Sequence, residues 1–431
     1  MPRTPTTPAQ ISGHRFLVRR VEHALVRADA RMLHDPLRTR GRAVAVGAAL
    51  LVLVIAGTVI LGLLRPRDGA ADADLVLVRD TGALHVRIDD RVHPVANLAS
   101  ARLVLGQPAE PVRVSAAALE KVVAGHPIGI PAAPDIAVSD PPPAPASAGI
   151  CEEASAALHE PVLVRSTVAR MGPLPEGGDS ALVTDGASTW LVHDGRRAPI
   201  DVQDPALSRA LGLSTAPIRP VGAHLLEAIP ETGAVRAPSV PRRGEQSGFP
   251  APFDVVGRIV DVGGRRVLVL SDGAVEVPPV VADVLAAEGG TAAATEVELA
   301  HVPVAPGVDH GSLPGEVPSW APADGWLCVD ADDRRTAVTH GRAPAAVVPY
   351  PGADGVGPAA DGFSSPASAT VAVDTGGGVH LVAAGGTRHL VENRRTLSAM
   401  GYPATVTVPW RVLAAFRAGP ELTRDSALSA P

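Results

Sequence analysis

One uninterrupted apolar run constrains this chain more than any other feature. Residues 43–64, AVAVGAALLVLVIAGTVILGLL, form 22 uncharged and mostly apolar positions. A helix of that length spans about 33 Å, and the hydrocarbon core of a bilayer is about 30 Å thick. A buried helix of a globular protein is the alternative, but such helices rarely run this long without a polar break. The run therefore predicts a single transmembrane helix.

Charge is divided unevenly across this run. Residues 1–42 hold nine arginines against three carboxylates, a net charge of +6, so the chain total of −7 leaves −13 for everything that follows. Three of those arginines directly precede the run, whereas acidic residues soon follow it. Because positive flanks stay in the cytoplasm, we expect the N-terminus inside and residues 65–431 outside. A cleaved signal peptide is disfavoured, since both the leading region and the run are too long.

The arm before the run is predicted to be a basic amphipathic helix. Ser12 can act as its N-cap, and Asp35-Pro36 would end it. The apolar residues recur at helical spacing, and arginines occupy the other positions: Leu17, Val21, Leu25, Ala28 and Met32 against Arg15, Arg19, Arg20, Arg27 and Arg31. Such a helix can lie in an anionic leaflet or dock on a partner. A solvated helix that merely orients the span is the alternative.

Four similar stretches recur after the run. They read LVLVRDTGALHV at 75–86, ALVTDGASTWLV from Ala181, VLVLSDGAVEV from Val267 and TVAVDTGGGVHLV from Thr370. In each, Leu and Val alternate with other residues on both sides of a turn that contains Asp and Gly, as a tight hairpin of two half-buried strands requires. Chance resemblance is the alternative to a fourfold repeat.

Each hairpin leads into an extended segment and then a helix. Aligning Val114 with Val408 matches three further pairs: Leu119 with Leu413, Val122 with Phe416 and Gly125 with Gly419. In the second copy, Leu225 follows Pro220 at the distance that separates Leu119 from Val114. The third copy is shorter and passes almost directly from its hairpin into the helix-compatible stretch at 278–287. A unit of about 50 residues is marginal alone and would pack on its neighbours.

Pro-rich joints separate the copies, at 131–149, 237–252, 302–318 and 349–366. Between them, segments 151–168 and 325–341 look like strands of a central domain that the chain visits twice. The sequence therefore predicts an α+β fold with a single N-terminal transmembrane helix, followed by an elongated extracytoplasmic body of four hairpin-plus-helix repeats around a central, mostly β domain. The expected boundaries are 1–42 for the arm, 43–64 for the span, 74–131, 181–231, 250–300 and 368–420 for the repeats, 150–180 and 319–348 for the central domain, and 421–431 for the tail.

The chain has two cysteines, Cys151 and Cys328, and both lie in the central segments. An even number of cysteines in an oxidising compartment favours one disulfide. The bond would close a loop of 177 positions, for which the chain-entropy model gives a stabilisation of about 5 kcal/mol. Two free buried thiols are the alternative.

No pattern for catalysis, cofactor binding or metal binding is complete. A phosphate-binding loop needs a lysine, but the single lysine, Lys121, follows no Gly-rich stretch, and a solvated position on the first repeat's helix explains it better. The 14 histidines include no HExxH, and surface positions in second hairpin strands explain His85 and His380. DADDRR at 330–335 lacks the glycine and distal glutamate of an EF-hand, whereas VGGRR and DTGGGVH fit hairpin turns. With 3% aromatic residues the chain also has few side chains on which bases could stack, so we predict no catalytic, cofactor or metal site and no nucleic-acid partner.

Two blocks of sequence resemble one known family. They are SGHRFLVRRVEHALVRADARMLHDPLR at 12–38 and DTGALHVRIDDRVHPVANLASARLVLGQPAEPVRVSAAALEKVVAGHPIGIPAAPD at 80–135. With the apolar run between them, the chain resembles EccB, the single-pass membrane core component of actinobacterial type VII (ESX) secretion systems. The likeness continues more loosely through the later repeats and both cysteines.

This resemblance implies a structural core subunit of the inner membrane, with a cytoplasmic N-terminal helix and a periplasmic body of four repeats around a central domain. It implies a disulfide between Cys151 and Cys328. It also implies assembly with EccC, EccD and EccE, contact with the mycosin protease MycP and self-association, and the basic arm and the span add membrane lipids as a partner. The repeats would be similar to a cell-wall-binding phage lysin fold, which adds peptidoglycan as a partner.

Hypotheses from different classes follow. A structural component oligomerises through its repeats and span, builds the outer part of the channel assembly and carries no active site. Some family members are described as ATPases, but an ATP-hydrolysing component would need a site without a phosphate-binding loop, outside the membrane where ATP is scarce. A peptidoglycan-binding membrane anchor is compatible with the structural role. We expect the structural component.

Overall fold

Short helices, tight hairpins and one long apolar helix account for most of the fold. The structure is a computed structural model of the chain, and it describes residues 7–28, 30–31, 36–64, 73–120, 122–134, 147–155, 163–172, 180–341, 343–355, 360–365 and 370–429. Lys121, Met32 and Asp35 lie outside the described residues, as do the flank at 65–72 and the middle of the first Pro-rich joint. The chain divides into an N-terminal unit, Met1–Gly69, and a body, Ala70–Pro431.

The basic arm is helical, but the predicted ends are wrong. Helix α1 (Pro8–Arg27) is capped by Thr7, and not by Ser12. Thr7 and Gln10 form a capping box in which the side chain of each accepts the backbone N–H of the other. This pair, with Pro8 preset for the first helical position, satisfies the free N–H groups before the chain reaches Ser12. The helix ends before Asp35 because Ala28 adopts a left-handed conformation, with φ of 57°.

The apolar run 43–64 forms all but the first seven residues of one long helix, α2 (Pro36–Leu64). Its segment Gly41–Leu61 has 21 residues and a mean hydropathy of 2.8, so by length and composition it can cross a membrane. The described apolar side chains along it are exposed. Among the described residues it is the one helix that meets these criteria.

The body consists of many short elements. The first group, unit 1, comprises β1 (Leu75–Val78), β2 (Leu84–Ile88), β3 (Arg91–Val95), α3 (Leu98–Leu105), β4 (Val112–Val114), α4 (Ala116–Leu119) and β5 (Val123–Ala124). Two longer strands follow, β6 (Ser147–Ser155) and β7 (Leu163–Gly172). Unit 2 comprises β8 (Ala181–Thr184), β9 (Thr189–His193), β10 (Arg196–Pro199), α5 (Pro205–Leu211), β11 (Ile218–Pro220) and α6 (Ala223–Ala228).

The second half of the body continues in the same way. Unit 3 comprises β12 (Ile259–Val262), β13 (Arg265–Leu270), β14 (Gly273–Glu276), α7 (Pro279–Gly289), β15 (Thr291–Ala294) and α8 (Glu296–Leu299). Four strands follow, β16 (Gly325–Ala331), β17 (Thr336–His340), β18 (Val347–Pro349) and β19 (Gly362–Ser364). Unit 4 comprises β20 (Val371–Asp374), β21 (Val379–Val382), β22 (Arg388–Val391), α9 (Arg394–Ala399), β23 (Val406–Thr407) and α10 (Trp410–Leu413), and α11 (Arg424–Leu428) comes last.

These elements form small sheets, so the predicted α+β class is confirmed. In units 1 to 4 alike, three antiparallel strands form a meander, and a helix then brings the next strand into parallel pairing with the first. A short second helix follows that parallel strand in each unit. The strands outside the units form one six-stranded sheet, hereafter the central sheet, in the order β17-β16-β6-β7-β19-β18.

The third predicted hairpin is out of step with the other three. VLVLSDGAVEV forms β13 and β14, the second and third strands of its meander, whereas the other stretches form the first and second strands. The matching hairpin of unit 3 turns at Gly263 and Gly264, whose φ angles of 62° and 88° suit a tight two-residue turn. Both hairpins of this unit contain glycine and alternate apolar residues, so the local pattern could not tell them apart.

The helix that follows the parallel strand corrects a second alignment. This helix begins two residues after Val114 in unit 1 and two residues after Val408 in unit 4. In unit 2 the same distance leads back to Val221, which is buried as Val114 and Val408 are. Val221, and not Pro220, is therefore the matching residue.

The alignment of Gly125 with Gly419 has a packing explanation. A Cβ on Gly125 would lie 2.3 Å from the ring of His93, and a Cβ on Gly419 would lie 2.4 Å from the ring of His389. The two histidines belong to β3 and β22, and each Nδ1 lies 3.0 Å from the carbonyl oxygen of the residue after its glycine. Only glycine leaves room for the imidazole at these two positions.

The units bury their apolar faces in pairs. Units 1 and 4 share one core, which includes Leu103 and Met400. Helix α11 packs on α3 in the same core, and Arg424 donates to the carbonyl oxygen of Val104 at 3.2 Å. Units 2 and 3 share a second core, in which α5 packs on α7. A third core joins the central sheet to units 2 and 4.

Candidate functional site

The central sheet carries the disulfide. Cys151 of β6 and Cys328 of β16 lie directly opposite each other in the antiparallel register, and their sulfur atoms are bonded. The bond joins residues 177 positions apart. Both residues are buried beside Val168 and the partly buried Trp326. The disulfide thus ties together the two segments of chain that build the middle of the sheet.

A buried polar joint next to the disulfide holds unit 2. Arg219 of β11 and Glu152 of β6 are each 1% exposed. Arg219 Nη2 donates to the carbonyl oxygen of Glu152 at 2.7 Å and to that of Gly325 at 2.9 Å. The N–H of Gly222, at the start of α6, donates to Glu152 Oε2 at 2.8 Å. Strand β11, the start of α6 and the central sheet therefore meet at Glu152 and Arg219.

The burial of this joint changes its titration. Burial raises the pKa of Glu152 to about 7, although the Gly222 hydrogen bond and the charge of Arg219 oppose the shift. Burial also lowers the pKa of Arg219. The energetic cost of a buried carboxylate is thus only partly recovered by its partners.

A second ion pair crosses the same sheet. Arg170 of β7 and Asp330 of β16 both lie opposite Gly149 of β6, one on each side. A Cβ on Gly149 would lie 2.5 Å from Asp330 Oδ1, so the missing side chain leaves the space through which the guanidinium reaches the carboxylate. Burial raises the pKa of Asp330, and the charge of Arg170 opposes that shift. The pair binds together three adjacent strands.

Two short helices dock on the central sheet. Helix α6 buries Leu225 and Leu226, and α10 buries Val412 and Leu413. The two helices pack against each other and on β6. Arg411 of α10 donates from Nε to the carbonyl oxygen at the end of α6, that of Ala228, at 2.8 Å. These contacts join units 2 and 4 to the sheet and to each other.

The three sequence patterns that partly resemble cation-binding or Gly-rich phosphate-binding loops lie at turns between strands. DADDRR ends β16 with its first two residues and forms the β16–β17 turn with the other four, where Asp332 Oδ1 accepts the N–H groups of Arg334 and Arg335 at 2.8 and 2.6 Å. VGGRR and DTGGGVH lie in the β12–β13 and β20–β21 turns, as predicted. Within the described ranges, three or more His, Cys, Asp and Glu side chains nowhere form a group that could hold a metal ion.

The predicted surface position of His380 is wrong. His380 is 4% exposed, because the ring of Trp410 covers it at a centroid distance of 5.7 Å. Burial and the nearby Arg388 charge lower its pKa. His85, at the corresponding place in β2, is half-buried, and burial lowers its pKa as well. Strand alternation could not reveal this, because the covering helix comes from a later part of the unit.

One contact of catalytic type was missed in the sequence. Ser180 Oγ lies 2.9 Å from Nδ1 of His193, whose Nε2 lies 3.5 Å from a carboxylate oxygen of Asp194. Ser180 is only 3% exposed, so its hydroxyl cannot reach a substrate. A nucleophile must be accessible as well as activated. The contact therefore stabilises the start of unit 2.

Comparisons with known proteins place the chain in one group. Residues 3–431 match the family described as "Type VII secretion system ESX-1, transport TM domain B". The chain is 32% identical to the ESX-3 secretion system ATPase EccB3 of Mycolicibacterium smegmatis, over 98% of this chain and 90% of that protein. It is 31% identical to the ESX-1 secretion system ATPase EccB1 of Mycobacterium tuberculosis, over 98% of this chain and 94% of that protein.

The chain is also similar to solved structures from ESX secretion systems. A chain of an intact ESX-5 inner membrane complex matches with a TM-score of 0.66 and 27% identity, over 100% of this chain and 96% of that one. A chain of an EccB3 dimer from the ESX-3 core complex matches with a TM-score of 0.66 and 29% identity, over 83% of this chain and 100% of that one.

Proposed function

Because the chain belongs to the EccB family, and is therefore a core membrane subunit of a type VII secretion system, we propose that it serves this system by assembly and not by catalysis. The observation that carries this proposal is where the buried polar groups lie. Glu152 with Arg219 and Arg170 with Asp330 join strands and units to one another. An active site would instead direct such groups toward a cavity open to substrate.

We also propose the orientation, with the N-terminus in the cytoplasm and the body in the periplasm. Two independent features support it. Arginines dominate the sequence before the span, as in segments that stay inside. The body contains a disulfide, which persists in oxidising compartments and not in the cytosol. A reporter active only outside the membrane should work when fused after Pro431 and stay silent at the N-terminus, and the reverse pattern would overturn the orientation.

The domain organisation that we propose has four repeats, units 1 to 4, around the central sheet. Their common strand order supports it, as do the matching glycines Gly125 and Gly419. The central domain takes its strands from segments 150–180 and 319–348 and from β19. In this arrangement the repeats are spacing and docking modules that build the outer part of the channel assembly.

The partners of the chain are other components of an ESX membrane complex and further copies of EccB. We propose EccC, EccD and EccE as the membrane partners and the mycosin protease as the outer one. Helix α1 offers a surface for assembly, since Leu17, Val21 and Leu25 are exposed along one face. Deleting residues 12–35 should abolish complex assembly, measured by pull-down from native membranes, while the body remains folded. Recovery of the complete complex without this segment would remove α1 from the proposal.

An enzymatic role remains the second candidate, because the relatives carry ATPase in their names. Purified full-length protein with ATP and a divalent cation tests it directly. Hydrolysis that disappears on a point change in this chain would refute assembly as its sole role. Binding to peptidoglycan is compatible with assembly, and co-sedimentation with insoluble cell wall measures it separately.

A further inference from the structure

A polar cleft lies where unit 2, the central sheet and unit 4 meet. Its walls are the β9–β10 turn at 194–196, the β16–β17 turn at 332–336, and the side chain of Arg411 from α10. The cleft has a volume of about 480 Å³. Because three distant segments of chain form its walls, its shape depends on the docking of both units.

The two turns that line the cleft touch through their backbones. Gly195 has a φ of 70°, and a Cβ at this position would lie 2.0 Å from the carbonyl oxygen of Thr336. Only glycine permits this approach, so the spacing between the turns is fixed by main-chain atoms. The cleft is therefore a constructed feature of the joint and not a gap between loose loops.

The charges in the cleft do not cancel. Four arginines line it against three aspartates. Asp332 uses Oδ1 to accept two backbone N–H groups of its own turn, and Asp333 lies 3.7 Å from Arg334. The carboxylate oxygen Oδ2 of Asp194 lies 3.5 Å from Nε2 of His193. Among the described residues, no carboxylate lies within ion-pair distance of the other three arginines, Arg196, Arg335 and Arg411.

Arg411 is the most constrained of these three cations. It is half-buried, and its Nε donates a hydrogen bond to the carbonyl oxygen of Ala228. Its Nη2 lies 3.4 Å from the hydroxyl of Thr336. Burial lowers its pKa without an opposing carboxylate. A guanidinium held in place with unused donors is prepared to bind an oxyanion, since its planar N–H groups match two oxygen atoms at once.

We propose that this cleft binds an oxyanion, a carboxylate or phosphate group, between Arg196, Arg335 and Arg411. The bound anion would neutralise cations contributed by unit 2, the central sheet and unit 4, and so strengthen the joint among them. This goes beyond the proposed assembly role, because it assigns to the joint a ligand on which the geometry of that assembly depends.

Calorimetric titration of full-length protein in detergent micelles tests the proposal. Inorganic phosphate and citrate are the two probes, at constant ionic strength set with chloride. We expect saturable binding by the natural chain and about ten-fold weaker binding by the double variant Arg196→Gln/Arg335→Gln. Both side chains are exposed, so the variant should keep the unfolding temperature of the natural chain, and each single substitution serves as a further check. Arg209→Gln, an exposed arginine of α5 outside the cleft, is the matched control and should bind as the natural chain does.

The two probes distinguish the sources of the oxyanion. Tighter binding of citrate assigns the cleft to carboxylate ligands, and tighter binding of phosphate assigns it to phosphate ligands. Absence of saturable binding to either probe would overturn the proposal. So would equal binding by the natural chain, the double variant and the Arg209→Gln control, because that result would mean general charge screening.

Discussion

Units 2 and 4 end in helices that are buried on the central sheet, whereas units 1 and 3 end in corresponding helices that are not. In every unit this helix follows the strand that pairs in parallel with the first strand, and it begins two residues beyond the matched strand residue. Yet α6 and α10 have buried residues, and α4 and α8 have none. One backbone arrangement thus serves two purposes.

The difference is concentrated at one position, four residues past the matched strand residue. It holds Leu225 in α6 and Val412 in α10, each 0% exposed. In α4 it holds the partly buried Ala118, and in α8 it holds the exposed Glu298, which completes a capping box with Thr295. Those hydrogen bonds lower the pKa of the Glu298 carboxyl and keep the residue in solvent. An apolar side chain here makes a docking helix, and a small or charged one leaves the helix free.

The strand before the helix shows the same divergence. Arg219 of unit 2 corresponds to Val112 of unit 1 and to Val406 of unit 4, as their pairing with the first strand of each unit shows. Val112 is 41% exposed, whereas Arg219 is fully buried against the central sheet. The side chains at these positions, and not the backbone arrangement, therefore decide which unit attaches to the sheet.

The largest expected effect comes from making a docked helix resemble a free one. Leu225→Glu should destabilise the body by about 6 kcal/mol, because it removes a buried leucine and places a carboxyl group in the core. Ala118→Glu makes the corresponding change in α4, which has no fully buried residue, and should alter stability by about 1 kcal/mol or less. Chemical denaturation of both variants measures the difference. Equal stability of the two would break the comparison.

Removing the disulfide of the central sheet, on which units 2 and 4 dock, should have the next largest effect. Cys151→Ala with Cys328→Ala opens a loop of 177 residues and is expected to cost about 5 kcal/mol in the chain-entropy model. The midpoint of unfolding in denaturant, with and without a reducing agent, checks this. The double variant should be insensitive to the reductant, and a natural chain equally insensitive would contradict the assignment.

The Glu152 joint should make stability depend on pH. Its folded pKa of about 7 lies above the ordinary 4.5, so between these values the folded chain keeps a proton that the unfolded chain has released. Stability should therefore fall by about 3 kcal/mol as pH rises through this window, with no further loss from this group above it. Glu152→Gln should remove that slope, whereas the neighbouring Glu153→Gln should retain it. Unfolding curves from pH 4.5 to 8 decide the matter, and an unchanged slope in Glu152→Gln would exclude this group.

The smallest of these effects concerns the contact between unit 2 and β17. Gly195→Ala should cost about 2 kcal/mol, from a left-handed backbone and a clash with the carbonyl oxygen of Thr336. Gly186→Ala has a similar φ, 89°, but open space around it, and should cost about 1 kcal/mol. The difference between the two unfolding free energies isolates the contact. If the two costs are the same, the turns do not touch as described.

Local features of this fold could be predicted from the sequence, because the signals are local. The apolar run, the Asp- and Gly-containing turns and the alternating strands all depend on neighbouring residues. The same dependence explains the errors: two hairpins of unit 3 look alike within a short window, and the cap at Thr7 competes with an equally plausible one at Ser12.

The joints could not be predicted in this way. Arg219 in a strand and Glu152 beside a cysteine are unremarkable until the register brings them together across 67 positions. The same holds for Arg170 and Asp330, which meet only because Gly149 lies between them. A signal was available, since an arginine at a strand position where units 1 and 4 have valine is unusual. Its partner, however, could be identified only from the fold.

The pairing of unit 1 with unit 4 affects how the chain can be made. Synthesis proceeds from the first unit to the last, but the core of unit 1 includes residues of unit 4 and of α11. Arg424 closes that core by reaching back over 320 positions to Val104. The part of the body that emerges first must therefore wait, incompletely buried, until the final residues arrive. A nascent chain of this kind depends on whatever shields its apolar surfaces during that interval.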